Sequence, residues 1–261
     1  MEDLIQPLDI YPLWLIFIFT VIILFLAPEI GFRLGKVIQE RWPDKFESSL
    51  GAMVGAALAL LGLLLAFVTS IAIGIYNERR QLVISEANAI DTSFAYTAVL
   101  DDLEKDTAQQ LLREYVTLRL SVSDLRATTS TTVRSEQILD ELWSKAVVIA
   151  RADPNPVIAH YLSALRVISD QNTARLNAEF SNRIPPTIIL GLYAVAILTM
   201  MLDGVYNSFG QRRNLLGLVI VVLILSVVFI LIIDLDRTQQ GLIKISQKAL
   251  LDLQTRLNAM P

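Results

Sequence analysis

Four uncharged apolar runs constrain the fold of this chain more than any other feature of its sequence. They cover residues 11–27, 50–75, 186–202 and 215–233. A helix rises about 1.5 Å per residue, so roughly 20 apolar residues cross a hydrocarbon core of about 30 Å. Because the runs are continuous rather than alternating, they are typical of helices, and a backbone in lipid must satisfy its own hydrogen bonds. The sequence therefore predicts an all-α integral membrane protein with four transmembrane helices.

The polar residues between these runs define the rest of the organisation. We expect transmembrane helices 1 and 2 in residues 1–75, an extramembrane helical bundle in 76–183, transmembrane helices 3 and 4 in 184–233, and an amphipathic C-terminal tail in 234–261. No Pro or Gly interrupts the chain between residues 76 and 100, so the second transmembrane helix is predicted to continue well beyond the bilayer.

Two smaller predictions concern where helices end. The run from residue 127 to 133 is almost entirely Thr and Ser, a composition typical of loops, so we expect a loop there. Pro28 follows the first apolar run directly. Because proline has no backbone N–H and disturbs the preceding turn of a helix, Pro28 is predicted to end the first span.

Composition and motifs exclude several classes of function. Lys and Arg number 22 against 26 Asp and Glu, so no basic surface predicts a nucleic-acid partner. There is no cysteine and one histidine, His160, which argues against disulfides, thiol catalysis and a histidine-based metal site. We find no phosphate-binding loop, nucleophile elbow or zinc signature. The sequence therefore predicts no enzyme and no cofactor.

The middle of each apolar run also lacks ionisable residues. Proton-coupled pumps and transporters normally carry buried acids along their pathway. This pattern therefore argues against such a transporter. A pore lined by backbone, hydroxyl groups and apolar constrictions stays compatible with the sequence.

The second apolar run is rich in small residues. Gly55, Gly62 and Thr69 follow one another at seven-residue steps, and Gly51 and Ala66 lie close to the same stripe of a helix. Small residues permit close helix–helix packing. They would equally leave room for a narrow water path. The two interpretations are compatible if the helices pack around a symmetry axis and leave a lumen along it.

Two groups of charged residues flank the apolar runs. The first comprises Asn77, Glu78, Arg79, Arg80, Glu86 and Asn88. It is interpreted either as an ion-pair ladder that ties the membrane helix to the bundle or as a charged vestibule of a pore. The second comprises Asp234 and Asp236, which either cap helices and stop the fourth span or help to bind a cation. One pair of carboxylates is too few for calcium without other ligands.

Three stretches together resemble a known family. They are Arg-Arg-Gln-Leu-Val at 79–83 followed by Glu-Ala-Asn-Ala-Ile at 86–90, Leu-Arg-Glu-Tyr-Val at 112–116, and Asp-Leu-Asp-Arg at 234–237 leading to Gly-Leu-Ile-Lys-Ile-Ser-Gln at 241–247. On these stretches the chain resembles the widespread bacterial family of membrane proteins described as bestrophin-like. The resemblance covers nearly the whole chain and implies a multi-pass protein of the bacterial inner membrane.

The resemblance also implies a function. Bestrophins proper are pentameric anion channels whose second transmembrane helix lines the pore and whose acidic cluster after the last span takes part in calcium sensing. By this resemblance the second span is the pore helix, Phe67 is a candidate constriction, and Asp234 and Asp236 are distant counterparts of the acidic cluster. The implied partners are lipid, further copies of the chain and inorganic ions. The pore-lining candidates are Gly55, Gly62, Ala66, Phe67, Thr69 and Ser70.

Two hypotheses of function therefore stand side by side. The first is a homo-oligomeric ion channel, and the second is a non-conducting membrane scaffold or sensor whose helical bundle binds a protein partner. Four spans place both termini and the bundle on one side of the membrane. The positive charge between the first two spans favours an external bundle, whereas Arg79, Arg80 and the basic residues of the tail favour a cytoplasmic one.

Overall fold

The computed structural model describes residues 11–41, 47–121, 128–180, 182–210, 215–237 and 241–259. These residues form eight α-helices, and no β-strand occurs among them. The prediction of an all-helical protein is confirmed. The helices are α1 (Leu13–Arg41), α2 (Glu47–Tyr96), α3 (Asp102–Ser121), α4 (Thr128–Ala152), α5 (Pro156–Phe180), α6 (Pro186–Phe209), α7 (Leu215–Asp236) and α8 (Lys248–Ala259).

Four of these helices are long and apolar enough to cross a membrane. The qualifying segments are Leu13–Glu40, Ser49–Val99, Pro186–Phe209 and Leu215–Asp236. The predicted number of spans is therefore confirmed, and the chain is a multi-pass membrane protein whose apolar helices contact lipid.

Helix α2 is much longer than a bilayer requires. It has 50 residues, which corresponds to about 75 Å of helix. The predicted continuation of the second span beyond the bilayer is confirmed. One side of α2 is buried at seven-residue steps, at Val54, Leu61, Val68 and Ile75. This spacing keeps a single stripe of the helix turned towards its neighbours.

The chain divides into two compact units. The first consists of Met1–Tyr76 and Arg183–Lys244, and the second of Asn77–Asn182 and Ile245–Pro261. Helix α2 contributes to both units. The first unit contains α1, the apolar part of α2, α6 and α7, and the second contains the rest of α2 with α3, α4, α5 and α8.

In the first unit, α1 and α6 lie against each other with their backbones in contact. A Cβ atom added at Gly31 would overlap the backbone carbonyl oxygen of Met201, and one added at Gly204 would overlap that of Pro28. Glycine is therefore the residue that permits this close approach. The contacts form the small-residue patterns Gly31-x-x-x-Gly35 in α1 and Gly204-x-x-x-Ser208 in α6.

A hydrogen bond joins the same two helices nearer their N-terminal ends. The hydroxyl groups of Thr20 and Tyr193 lie 2.6 Å apart, and the Tyr193 ring stacks on Phe229 of α7 with centroids 4.2 Å apart. Early residues of α1 thus meet early residues of α6, and later residues meet later ones. Helices α1 and α6 therefore run parallel, as the first and third of four crossings must.

Pro28 lies inside α1 rather than at its end, so the prediction that it ends the first span is wrong. Proline removes one backbone hydrogen bond, but membrane helices tolerate this where a neighbouring helix packs against the site. The backbone of Pro28 is in direct contact with α6 at Gly204. This tertiary contact stabilises the helix where its local propensity is weak.

The second unit is a helical bundle with one apolar core. Its buried members come from α2, α3, α4, α5 and α8 and include Ile90, Leu112, Ile138, Leu142, Ile168 and Leu253. The tail helix α8 belongs to this core, because Leu250, Leu253 and Leu257 are all fully buried. Arg113 of α3 further fixes α8 by donating a hydrogen bond to the carbonyl of Leu257 at 3.0 Å.

The Thr-rich segment is helical where the structure describes it. Helix α4 begins at Thr128, so the predicted loop over residues 127–133 is wrong from Thr128 onwards, while Ala127 lies outside the described residues. The hydroxyl of Ser135 donates to the carbonyl of buried Thr131 at 2.8 Å. Arg134 pairs with Glu114 of α3 at 2.7 Å. Tertiary contacts override the modest helix propensity of threonine here.

Candidate functional site

The pore-lining candidates lie on the side of α2 that the chain itself leaves uncovered. Five of the six are exposed, and Phe67 is the most prominent, with 59% of its surface accessible. The exposed five are Gly55, Gly62, Ala66, Phe67 and Ser70. Thr69 is half-buried, and its hydroxyl donates to the carbonyl of Leu65 at 2.7 Å. These residues are thus available to lipid, to another copy of the chain or to a lumen.

The glycines of α2 differ from those that join α1 and α6. A Cβ atom added at Gly55, Gly62 or Gly74 would meet nothing within 4 Å. The close approach seen at Gly31 and Gly204 therefore has no counterpart at these positions. Gly55, Gly62 and Gly74 therefore do not serve close packing within the described chain.

The polar cluster on the continuation of α2 separates into exposed and buried members. Asn77, Glu78, Arg80 and Asn88 are exposed, whereas Arg79 and Glu86 are buried. The shared face of Arg79 and Glu86, expected from their seven-residue spacing, is thus the face that packs into the bundle. For these two residues the structure favours a role in holding the bundle together.

Arg79 binds the C-terminal end of α5. Its Nε donates to the carbonyl of Ala178 at 3.1 Å, and its Nη2 donates to that of Asn182 at 2.9 Å. The last carbonyl groups of a helix have no partner within the helix. A buried guanidinium therefore satisfies acceptors that water would otherwise have to reach.

Glu86 lies at the centre of a buried charged cluster, which we call the Glu86 cluster: Glu86, Tyr115, Arg119 and Arg175. The Glu86 side chain is fully buried. It pairs with Arg119 Nε at 3.0 Å and with Arg175 Nη1 in a closer contact. The Tyr115 hydroxyl donates to Glu86 Oε1 at 2.8 Å. Burial, and next the charge of Glu86, raise the pKa of Tyr115 well above its ordinary value, so Tyr115 stays a donor.

This cluster explains two of the three stretches singled out in the sequence. Glu86 belongs to the stretch at 86–90 and Tyr115 to the stretch at 112–116, and the two meet in one hydrogen bond. The two arginines escaped the sequence analysis. For Arg119 a signal was present in the sequence. Arg119 follows Tyr115 by one helical turn, so it lies on the same, apolar side of α3.

The third stretch forms a second polar cluster in the first unit, at the C-terminal end of α7. Asp236 accepts a hydrogen bond from the backbone N–H of Ile184 at 2.8 Å and pairs with Arg183 at 3.1 Å. Arg237 donates to the carbonyl of Tyr11 at 2.6 Å. The end of the fourth span thus holds the residues that precede the third and the first spans.

Asp234 binds the chain that follows α7. Its carboxylate accepts the backbone N–H groups of Leu242 at 2.7 Å and Ile243 at 3.0 Å. A Cβ atom added at Gly241 would overlap Asp234 Oδ1, so glycine at 241 lets the turn approach the carboxylate. Among the described residues no group of three or more His, Cys, Asp or Glu side chains could hold a metal ion. Cation binding by Asp234 and Asp236 therefore stays a prediction.

Alanine at position 241 tests the role of this turn. We expect Gly241→Ala to push the Asp234 carboxylate away from both N–H groups and to lower the free energy of unfolding by about 2 kcal/mol, because hydrogen bonds to a charged group are lost. Thermal unfolding of the purified protein in detergent measures the change. Gly74→Ala is the control, since nothing lies within 4 Å of its new methyl group. Equal effects of the two substitutions would contradict the assignment.

A match to a family model agrees with this helical membrane architecture. Curated proteins and solved structures give no match. Residues 21–250 match the family model described as a Bestrophin-like domain. This match covers most of the chain, including the Glu86 cluster and the aspartates that end α7. The chain therefore belongs to the family of proteins with a Bestrophin-like domain.

Proposed function

We propose that this protein is a homo-oligomeric ion channel in which the apolar part of α2 surrounds a central pore. The observation that carries the proposal is the exposed small-residue side of α2, which no other part of the described chain covers. Identical helices placed around a symmetry axis would bring these small residues together without closing the space between them. Family membership supports the same assignment.

The chemistry of this surface fits a gated pore. Gly55, Gly62, Ala66 and Ser70 offer backbone, a hydroxyl group and little bulk. Phe67 is a large exposed side chain among them. A ring of such side chains would form an apolar constriction, which can stop conduction by excluding water.

Beyond the apolar part, α2 continues with exposed polar side chains. Asn77, Glu78, Arg80 and Asn88 are the vestibule candidates that the chain leaves accessible. Glu78 also accepts a hydrogen bond from the side-chain amide of Asn182, so its position is held by the bundle. Mixed charge along a single helix would attract ions without binding them too tightly to pass.

The remaining parts of the proposal rest on the resemblance to bestrophins. It favours five copies of the chain and anions as the conducted ions. It also favours the inner membrane of a bacterium as the location. Helix α7, which is apolar nearly all round and has exposed Leu216 and Ile224, would face lipid in such an assembly.

Single-channel recording of the purified oligomer in planar lipid bilayers tests the proposal. We expect unitary currents in the wild-type protein, and a higher unitary conductance in Phe67→Ala, because the substitution removes the bulkiest exposed side chain of the constriction. Leu223→Ala is the matched control. Leu223 is an exposed apolar residue of α7, and its removal should leave the conductance unchanged.

Two outcomes would contradict the channel assignment. A folded oligomer that stays electrically silent would favour the non-conducting scaffold or sensor. Equal effects of Phe67→Ala and Leu223→Ala would show that α2 does not line the pore even if currents are present.

A further inference from the structure

A cavity in the second unit combines apolar walls with the hydroxyl group of a buried tyrosine, Tyr161. Its volume is about 350 Å³, which lies within the range of about 300–1,000 Å³ typical of small-molecule sites. It lies between α3, α4 and α5. Its lining includes Leu103, Ala108, Leu142, Val148 and Tyr161.

Burial distinguishes the floor of this cavity from its mouth. Ala108, Leu142, Ala146 and Tyr161 are buried and form the floor, with Tyr161 only 1% exposed. At the mouth, Leu103 is 80% exposed and Val148 is 66% exposed. Leu103 and Val148 thus leave apolar surface exposed at the mouth of the cavity.

Tyr161 carries the polar group at the floor. No described residue forms a hydrogen bond with its hydroxyl group. The other hydroxyl groups of the lining are used, because Thr107 and Ser144 each donate to a backbone carbonyl of their own helix. The Tyr161 hydroxyl keeps some accessible surface, because it is not one of the fully buried polar atoms that lack a partner in the described chain. In a side chain that is otherwise buried, the hydroxyl is therefore open to the cavity, where it can donate a hydrogen bond to a ligand.

The protonation state of Tyr161 is fixed by its surroundings. Burial raises the pKa of Tyr161 to about 12. The phenol therefore keeps its proton at neutral pH and can donate a hydrogen bond.

From this geometry we infer a binding site for a small, neutral, mainly apolar molecule that carries one hydrogen-bond acceptor, such as a carbonyl oxygen, for the Tyr161 hydroxyl. The apolar body of the ligand would cover Leu103 and Val148 at the mouth. Neither the channel proposal nor its test depends on this site.

The charges around the cavity do not favour an ionised ligand. Floor residues Ala108, Leu142 and Ala146 offer no counter-charge, so a buried ion there would be uncompensated. At the mouth, Glu104 and Lys145 carry opposite charges, and Lys145 is paired with Glu141 at 3.6 Å. The mouth therefore favours neither an anion nor a cation.

Methyl NMR of the full-length protein in lipid nanodiscs, labelled with ¹³C at alanine methyl groups, tests the site directly. The probe is acetophenone, and its isostere without the acceptor is isopropenylbenzene. We expect acetophenone to shift the Ala108 and Ala146 resonances to saturation and to leave Ala164 unchanged. Ala164 is also buried in the bundle but does not line the cavity.

Variants separate the hydrogen bond from the apolar contact. Tyr161→Phe should weaken acetophenone about fivefold, the effect of one net hydrogen bond, and leave isopropenylbenzene unaffected. Val148→Trp at the mouth should weaken both probes. The control is Val167→Trp, an exposed position outside the cavity, which should change neither.

Two results would overturn the inference. One is a shift of all three alanines without saturation, which indicates partition into lipid. Another is an equal loss for both probes in Tyr161→Phe. If Tyr161→Phe does not fold, the wild-type protein still decides, because acetophenone must bind more tightly than isopropenylbenzene and Val148→Trp must weaken it.

Discussion

Replacing Gly204 with alanine is expected to separate α1 from α6 and to lower the free energy of unfolding by about 3 kcal/mol, the upper part of the usual range for overpacking. The new methyl group would overlap the backbone carbonyl of Pro28. A flexible side chain could move aside, but a helix backbone can yield only if the whole helix shifts. The shift would also strain the hydrogen bond between Thr20 and Tyr193. Reversible unfolding in mixed detergent micelles measures the loss.

Gly191→Ala provides the matched control within the same helix. Nothing lies within 4 Å of a Cβ atom at Gly191, and alanine is the better helix former. We therefore expect this variant to be as stable as the wild-type protein or slightly more stable. If Gly204→Ala and Gly191→Ala unfold alike, the close contact between α1 and α6 does not stabilise the first unit.

The sequence predicted the spans well because their signal is local. A run of about 20 uncharged apolar residues has few alternatives to a membrane helix. The long continuation of α2 was likewise visible in the absence of Pro and Gly after residue 76. Neither prediction requires knowledge of which helices touch.

The packing of the spans was missed because it depends on distant pairs of residues. Small residues in α2 drew attention, yet the close contacts are those of Gly31 with Met201 and of Gly204 with Pro28, between α1 and α6. The pattern Gly31-x-x-x-Gly35 was readable, but Pro28 suggested that the span had already ended. A local signal was thus misread because the neighbouring helix that stabilises Pro28 could not be seen.

The candidate site shows the same limit. Exposure of Gly55, Gly62 and Phe67 follows from their position outside the buried stripe of α2, because each is the direct neighbour in sequence of one of its residues and is therefore turned away from it. In contrast, Glu86 resembles any acid on a charged helix until its contact with Arg175, 89 residues away, is known. Sequence spacing placed Glu86 and Arg79 on one face but could not tell that this face is buried.

Neutralising Glu86 should be among the most damaging single changes in the second unit. Glu86→Gln keeps the size of the side chain but leaves the guanidinium groups of Arg119 and Arg175 without their shared counter-charge inside the bundle. Removing one member of a buried ion pair typically costs about 3–5 kcal/mol, because the remaining charge stays desolvated. We expect a loss of this size in the free energy of unfolding, measured by chemical denaturation followed by circular dichroism.

Asp91→Asn is the control on the same helix. Asp91 pairs with Arg256 at 3.2 Å, and both side chains are partly accessible to water, so its loss should cost at most about 1 kcal/mol. The double variant Glu86→Gln with Arg175→Gln should recover part of the stability, because one of the two uncompensated positive charges is removed. Two outcomes would contradict this assignment: a loss of stability in Glu86→Gln as small as that in Asp91→Asn, or a further loss of the same size when Arg175→Gln is added. In either case the carboxylate does not neutralise the two arginines, and the bundle is held by its apolar core alone.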